Sequence, residues 1–236
     1  MTLAARLGAA TALTLCLWGA APAQAALSSF TSKGAFDAAL ASLSQVQSVD
    51  FDSVAAGTDF ASGTGTGGLT FSYAIAGPST LRVSDTFLTT FVTTSGTHYL
   101  GLDNSDTAFY LGDSFTINFN RTVHAVGLYL IAGSDAQAGD MQLSVATGSV
   151  FNAATPDTLL ADGGRAFYLG LVESNVGSGF MSATINMVAT QSAFLAVTAD
   201  DITSAVNVGG VVPEPGTWGL MLGGLGALAA LRRRAR

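Results

Sequence analysis

Residues 69–75 read LTFSYAI, so that Leu69, Phe71, Tyr73 and Ile75 alternate with Thr70, Ser72 and Ala74. Successive side chains of a strand point to opposite faces, and this spacing predicts a strand with one apolar face turned to a core. SFTINF at 114–119 repeats the pattern through Phe115, Ile117 and Phe119. VHAVGLYLI at 123–131 is apolar on both faces, as expected of a central strand covered on each side. MQLSV (141–145), AFYLGLV (166–172), MSATINM (181–187) and AFLAV (193–197) follow. Between them lie GSDAQAGD, TPDTLLADGG and ESNVGSG, rich in turn-forming Gly, Asp, Ser and Asn. Many short strands with few prolines and no repeated helical stretch predict an all-β fold, an antiparallel β-sandwich that is jelly-roll-like. TSKGAFDAALASL (31–43) is the exception: Phe36, Ala39, Leu40 and Leu43 recur at helical spacing, which predicts one short N-terminal helix capped by Thr31 or Ser32. No internal repeat points to a solenoid or propeller.

Upstream of this body the chain opens MTLAARLGAATALTLCLWGAAPAQA, with one arginine (Arg6), an apolar stretch from Leu7 to Trp18 and small residues after it. Ala23-Gln24-Ala25 has the small-x-small form that signal peptidase accepts, so residues 1–25 are expected to be a signal peptide removed before Ala26. The chain's single cysteine, Cys16, lies inside that segment and follows Leu15, which is too large for a lipoprotein signal. The mature protein then has neither thiol nor disulfide.

From Ala26 to Val212 four basic residues (Lys33, Arg82, Arg121, Arg165) stand against fifteen acids, a net charge of −11 that the basic tail masks in the whole-chain value of −7. An acidic, lysine-poor surface repels phosphate backbones, which argues against nucleic acid. It tolerates calcium or neutral glycans. The expected domain runs over 26–206 with a linker at 207–211.

Few residues in the body suggest chemistry. Gly63, Gly65 and Gly68 form a G-x-G-x-x-G, but they precede a strand and no βαβ unit surrounds them, so a loop is expected rather than a dinucleotide site. His98 and His124 lack a recognisable nucleophile or acid partner and read as structural or surface residues. Tyr73, Tyr99, Tyr110, Tyr129 and Tyr168 are candidate stacking platforms for sugars, although an alternating strand tyrosine usually belongs to the core. The aspartates carry more. Asp50 and Asp52 fall in VDFDS (49–53), and Asp200 and Asp201 in AFLAVTADDI (193–202). First and last strands of a sandwich often lie side by side, so the two pairs are placed to converge as hard oxygen ligands of a structural calcium ion. Solvated turn aspartates are the plainer reading. A glycosidase acid pair is a third, and it requires a set carboxyl separation.

The chain ends VVPEPGTWGLMLGGLGALAALRRRAR (211–236). Gly216–Leu231 is sixteen residues, about 24 Å of helix against a hydrocarbon core of about 30 Å, short but able to span when Trp218 sits at one interface and Arg232, Arg233, Arg234 and Arg236 snorkel at the other. The arginines stay cytoplasmic, which leaves the acidic body on the far side. Gly219 and Gly223 permit close helix contact.

Val212-Pro213-Glu214-Pro215, then a short apolar helix, then terminal arginines resemble the PEP-CTERM sorting signal of Gram-negative bacteria over 212–236. The resemblance implies recognition of Val212, Pro213, Glu214 and Pro215 by an exosortase, and association with exopolysaccharide or biofilm matrix. VDFDSVAAGT, GLTFSY, HAVGLYL, FYLGLV and FLAVTADDI are similar to the jelly-roll ectodomains that accompany such tails. The resemblance implies carbohydrate binding, or calcium near the closing strand. The expectation is a non-enzymatic envelope or matrix protein that is exported across the inner membrane, transiently anchored, and engaged in adhesion, matrix structure or glycan binding. A secreted polysaccharide-acting hydrolase is the alternative.

Overall fold

The computed structural model describes residues 27–85, 92–188 and 195–208. In chain order the strands are β1 (Leu27–Phe30), β2 (Ser44–Val49), β3 (Asp59–Phe60), β4 (Leu69–Ala74), β5 (Leu81–Ser84), β6 (Tyr99–Leu102), β7 (Phe109–Tyr110) and β8 (Ser114–Val123). They continue as β9 (Ala125–Ala132), β10 (Met141–Val145), β11 (Gly148–Phe151), β12 (Thr158–Leu159), β13 (Arg165–Glu173), β14 (Phe180–Met187) and β15 (Ala196–Val206). One helix, α1 (Lys33–Leu40), and a 3-10 turn at Val176–Ser178 complete the described elements.

The strands form two antiparallel sheets. The larger runs β1-β13-β9-β15-β6-β5-β3, with β12 beside β13, and β2 and β7 beside β15. The smaller runs β11-β10-β14-β8-β4. One apolar core lies between them, Val126, Leu128, Leu130, Phe167 and Leu169 from the larger sheet meeting Phe71, Phe115, Ile117, Leu143 and Ile185 from the smaller. The alternation in LTFSYAI and SFTINF is thereby explained, since their apolar faces are the inner face of the smaller sheet. Phe109 stacks on Phe115 at 4.9 Å between ring centres.

β9 is buried at all eight positions. Its inward residues join the main core, and its outward ones, Ala125, Tyr129 and Ile131, pack with Tyr168 under Phe36 and Leu40 of α1. This second apolar layer requires glycine at two places. Phe36 approaches Gly170 so closely that a Cβ there would lie 2.6 Å from Phe36 Cδ2, and a Cβ at Gly127 would overlap the Tyr168 hydroxyl. Side chains at either position would push the helix off the sheet.

The cap of α1 differs from expectation. Ser32 occupies the cap position with an extended backbone but makes no side-chain capping bond. Asp157 Oδ2 accepts the Lys33 N–H instead, at 3.2 Å. Among the described residues no helix is long and apolar enough to cross a membrane. The signal peptide expected at 1–25, residues 209–211 of the linker, and the tail with Val212, Pro213, Glu214, Pro215, Trp218, Arg232, Arg233, Arg234 and Arg236 lie outside the described residues.

Candidate functional site

The backbone of β15 carries an irregularity against β9. Asp200 pairs with Tyr129 and Thr203 with Gly127, so β15 advances three residues where β9 advances two. This bulge places Asp201 at φ 53, a left-handed conformation that Asp tolerates better than most residues. Ala199 and Ile202 both reach the main core. Strict alternation would turn Asp201 inward, whereas the extra residue lets Asp200 and Asp201 lie together outside it.

A loop over 92–98 closes on this pair. Asp200 Oδ2 accepts the Thr94 N–H at 3.1 Å, the Thr94 hydroxyl at 2.9 Å and the Ser95 N–H at 3.2 Å. Asp201 Oδ1 accepts the Ser95 hydroxyl at 2.7 Å, and the Asp201 N–H turns back to Asp200 Oδ1 at 2.8 Å. Thr94 Oγ1 also stands 2.9 Å from Asp201 Oδ2. One hydroxyl proton therefore faces two carboxylate oxygens. Asp200 is 0% exposed. Its burial first, and the neighbouring Asp201 charge second, push its carboxyl up to about 7 against the hydrogen bonds that favour ionisation.

The loop's far side rests on the other aspartates. Asp52 Oδ1 accepts the Thr97 N–H at 2.7 Å and the His98 N–H at 3.0 Å. The Thr97 bond first, then the His98 amide and charge, hold its carboxyl below the ordinary value. Asp50 Oδ1 accepts the Asp52 N–H at 3.2 Å, across a buried Phe51 at φ 64. Gly96 packs against the Asp52 carboxylate, where any Cβ would overlap it.

β2 does pair with β15, Val49 opposite Ile202, so the two aspartate pairs approach one another. They grip opposite flanks of one loop. Among the described residues no group of three or more His, Cys, Asp or Glu side chains is placed to hold a metal ion. The oxygens gathered on one flank are those of Asp200, Asp201, Thr94 and Ser95, hard donors of the kind calcium takes.

The remaining sequence candidates are structural. Gly63, Gly65 and Gly68 fall in the loop between β3 and β4, where Gly63 N–H bonds Phe71 O. His98 Nδ1 lies 3.3 Å from Asp52 O. His124 is buried where β8 passes into β9, with Nε2 2.8 Å from Val176 O and Nδ1 accepting the Asn207 N–H at 3.1 Å, which fits the Nε2–H tautomer. Tyr99, Tyr129 and Tyr168 are buried. Tyr110 donates to the Asp106 carboxylate, and burial first, then that carboxylate, pushes its hydroxyl up to about 12. Tyr73 packs against the main core.

Residues 211–235 match the PEP-CTERM protein-sorting motif, so the chain carries that motif. No curated protein matches the chain. Among solved structures it is similar to the catalytic unit of the thermostable GH87 alpha-1,3-glucanase from Streptomyces thermodiastaticus strain HF3-3, at 15% identity and TM-score 0.32. That likeness covers 63% of this chain and 28% of the glucanase unit. It is also similar to TmCBM61 in complex with beta-1,4-galactotriose, at 12% identity and TM-score 0.22, over 59% of this chain and 84% of that one. At such TM-scores neither likeness bears on what this chain binds.

Proposed function

We propose that this is an exported, non-enzymatic protein of the cell envelope or extracellular matrix, sorted by an exosortase and acting in adhesion, matrix structure or glycan binding. The observation that carries the reading is the PEP-CTERM match over 211–235. In this reading signal peptidase removes residues 1–25. The segment 216–231 holds the domain at the inner membrane until the exosortase recognises Val212, Pro213, Glu214 and Pro215. The sandwich is read as jelly-roll-like because its neighbours are distant in sequence, β13 between β1 and β9, and β15 between β9 and β2.

Charge placement supports the temporary anchor. β15 leaves its sheet at Val206, at the end of the sandwich formed by the strand ends and turns at 43–47, 64–68, 120–124, 145–148 and 173–179. Their one acid among the described residues is Glu173, which is buried. Met181 and Val208 are exposed there, and Arg121 bonds Gln45. Among these described residues, then, no exposed carboxylate flanks the point where the chain leaves the sheet.

The same reading gives Asp200 and Asp201, with the Thr94 and Ser95 hydroxyls, to a structural calcium ion, backbone or water oxygens completing its six to eight ligands. Asp50 and Asp52 fasten the loop's other flank. The full burial of Asp200 favours this over a glycosidase acid, which must reach its substrate.

Replacing Pro213-Glu214-Pro215 with three alanines tests the sorting. Unprocessed protein accumulates in the inner membrane if the reading is right, and normal release of the variant removes it.

A further inference from the structure

At the end of the strands remote from Val206 lies an open hollow of about 510 Å³, lined by Ala154, Thr155, Pro156, Asp157, Leu159 and Arg165. Arg165 begins β13 opposite Ala132 of β9, whereas Ala205 of β15 sits opposite Ala125 at the other end. Two charged groups of opposite sign line this hollow without meeting. The ion pairs among the described residues are Lys33–Asp37, Arg82–Asp59 and His98–Asp52. Asp157 is held from behind, Oδ2 accepting the Tyr129 hydroxyl at 2.7 Å and the Lys33 N–H at 3.2 Å, and its Oδ1 takes no hydrogen bond from a described residue. The Arg165 guanidinium has no partner among the described residues either. Of the body's four basic side chains, Lys33 and Arg82 are ion-paired and Arg121 bonds Gln45. Asp157 and Arg165 thus present a carboxylate acceptor and a guanidinium donor to the same hollow, with no ion pair between them.

We propose that this hollow is a binding site for an uncharged, polyhydroxylated ligand, one or two residues of a neutral glycan. The inference rests on the glycan-binding branch of the proposed function. A sugar hydroxyl donates and accepts at once, so adjacent hydroxyls bridge the two groups, accepting from the planar N–H pair of Arg165 and donating to Asp157 Oδ1. Pro156 and Leu159 supply an apolar flank for the C–H face of a ring, and Leu159 is 71% exposed. The volume falls in the range of about 300–1,000 Å³ for small-ligand sites. A cation meets Arg165. An anionic polymer meets Asp157 and a body of net charge −11, so neutral chains are favoured.

The test uses the exported protein recovered from its own cells, with the extracellular polysaccharide of the same cells separated by anion exchange into neutral and anionic fractions. The protein is expected to bind the neutral fraction. Arg165→Gln and Leu159→Ser should weaken that binding tenfold or more with unchanged melting temperatures, and Asp157→Asn likewise with at most a small thermal shift. Arg82→Gln, at the β3–β5 edge, should bind as the parent does. Undiminished binding by Arg165→Gln and Asp157→Asn overturns this site while glycan binding stands. Binding of neither fraction overturns both and leaves the sorting reading intact. Arg165-dependent binding of the anionic fraction alone overturns the assignment to an uncharged ligand.

Discussion

The carboxylate of Asp157 accepts the backbone N–H of Lys33 at 3.2 Å, across 124 positions of sequence. An eight-residue helix is not stable alone, and its first amides need acceptors that Ser32 does not supply. The turn before β12 provides one, and the same oxygen receives the Tyr129 hydroxyl from beneath. Helix, sheet and hollow thus share one carboxylate.

Removing it uncaps the helix and takes a carboxylate acceptor from the Tyr129 hydroxyl. Asp157→Ala should cost about 1–3 kcal/mol in urea unfolding, and Asp157→Asn clearly less because its carbonyl still accepts. An alanine variant with the parent's midpoint would contradict the remote cap.

Asp200 makes stability depend on pH. Its carboxyl ionises near the ordinary 3.8 when unfolded and near 7 in the fold. A raised folded value contributes stability that is full below about pH 4 and lost as pH climbs to about 7, an upper figure of about 4 kcal/mol. In chelator, the melting temperature should fall across that window, and Asp200→Asn should flatten the fall. A profile of the same slope in the variant would remove Asp200 from the account.

Calcium should reverse the loss, because a cation favours the ionised pair. Added to chelator-treated protein at about 100 times its dissociation constant, it should raise stability by about 2.7 kcal/mol at pH 7.5 and by less at pH 5. Asp201→Asn should abolish the response. Equal melting temperatures in calcium and chelator at pH 7.5 would rule the ion out.

Gly127→Ala forces a methyl group into the Tyr168 hydroxyl and against Phe36. The expected cost is about 1–3 kcal/mol, as for other overpacked cores. Tyr168→Phe, which removes a buried hydroxyl that has no hydrogen-bond partner, should be neutral or stabilising. A neutral Gly127→Ala in thermal unfolding would mean that helix and sheet are not packed as described.

Most strands were legible because their signal is local. Leu69, Phe71, Phe115 and Ile117 alternate and are buried, and the two-faced run around Leu128 lies between two apolar layers. The tail was legible for the same reason, its three parts being contiguous. Alternation breaks at a bulge, so β15 runs on to Val206 through residues whose period shifts at Asp201. Asp200 and Asp201 stood out as a pair, but Thr94 and Ser95 come from a stretch of ordinary turn composition more than a hundred positions away. Asp157 was hidden because TPDTLLADGG reads as a turn, and Arg165, just after it, counted only as one of four basic residues. Only the folded chain shows a remote cap and an unpaired guanidinium there.

Intact mass on the protein recovered from the native membrane and medium decides whether the chain is exported and its tail removed. A released form that begins at Ala26 and has lost the tail beyond about Val212 is expected. Full-length tail on all the recovered protein, retained in the membrane, would contradict it and make the chain a permanently anchored protein.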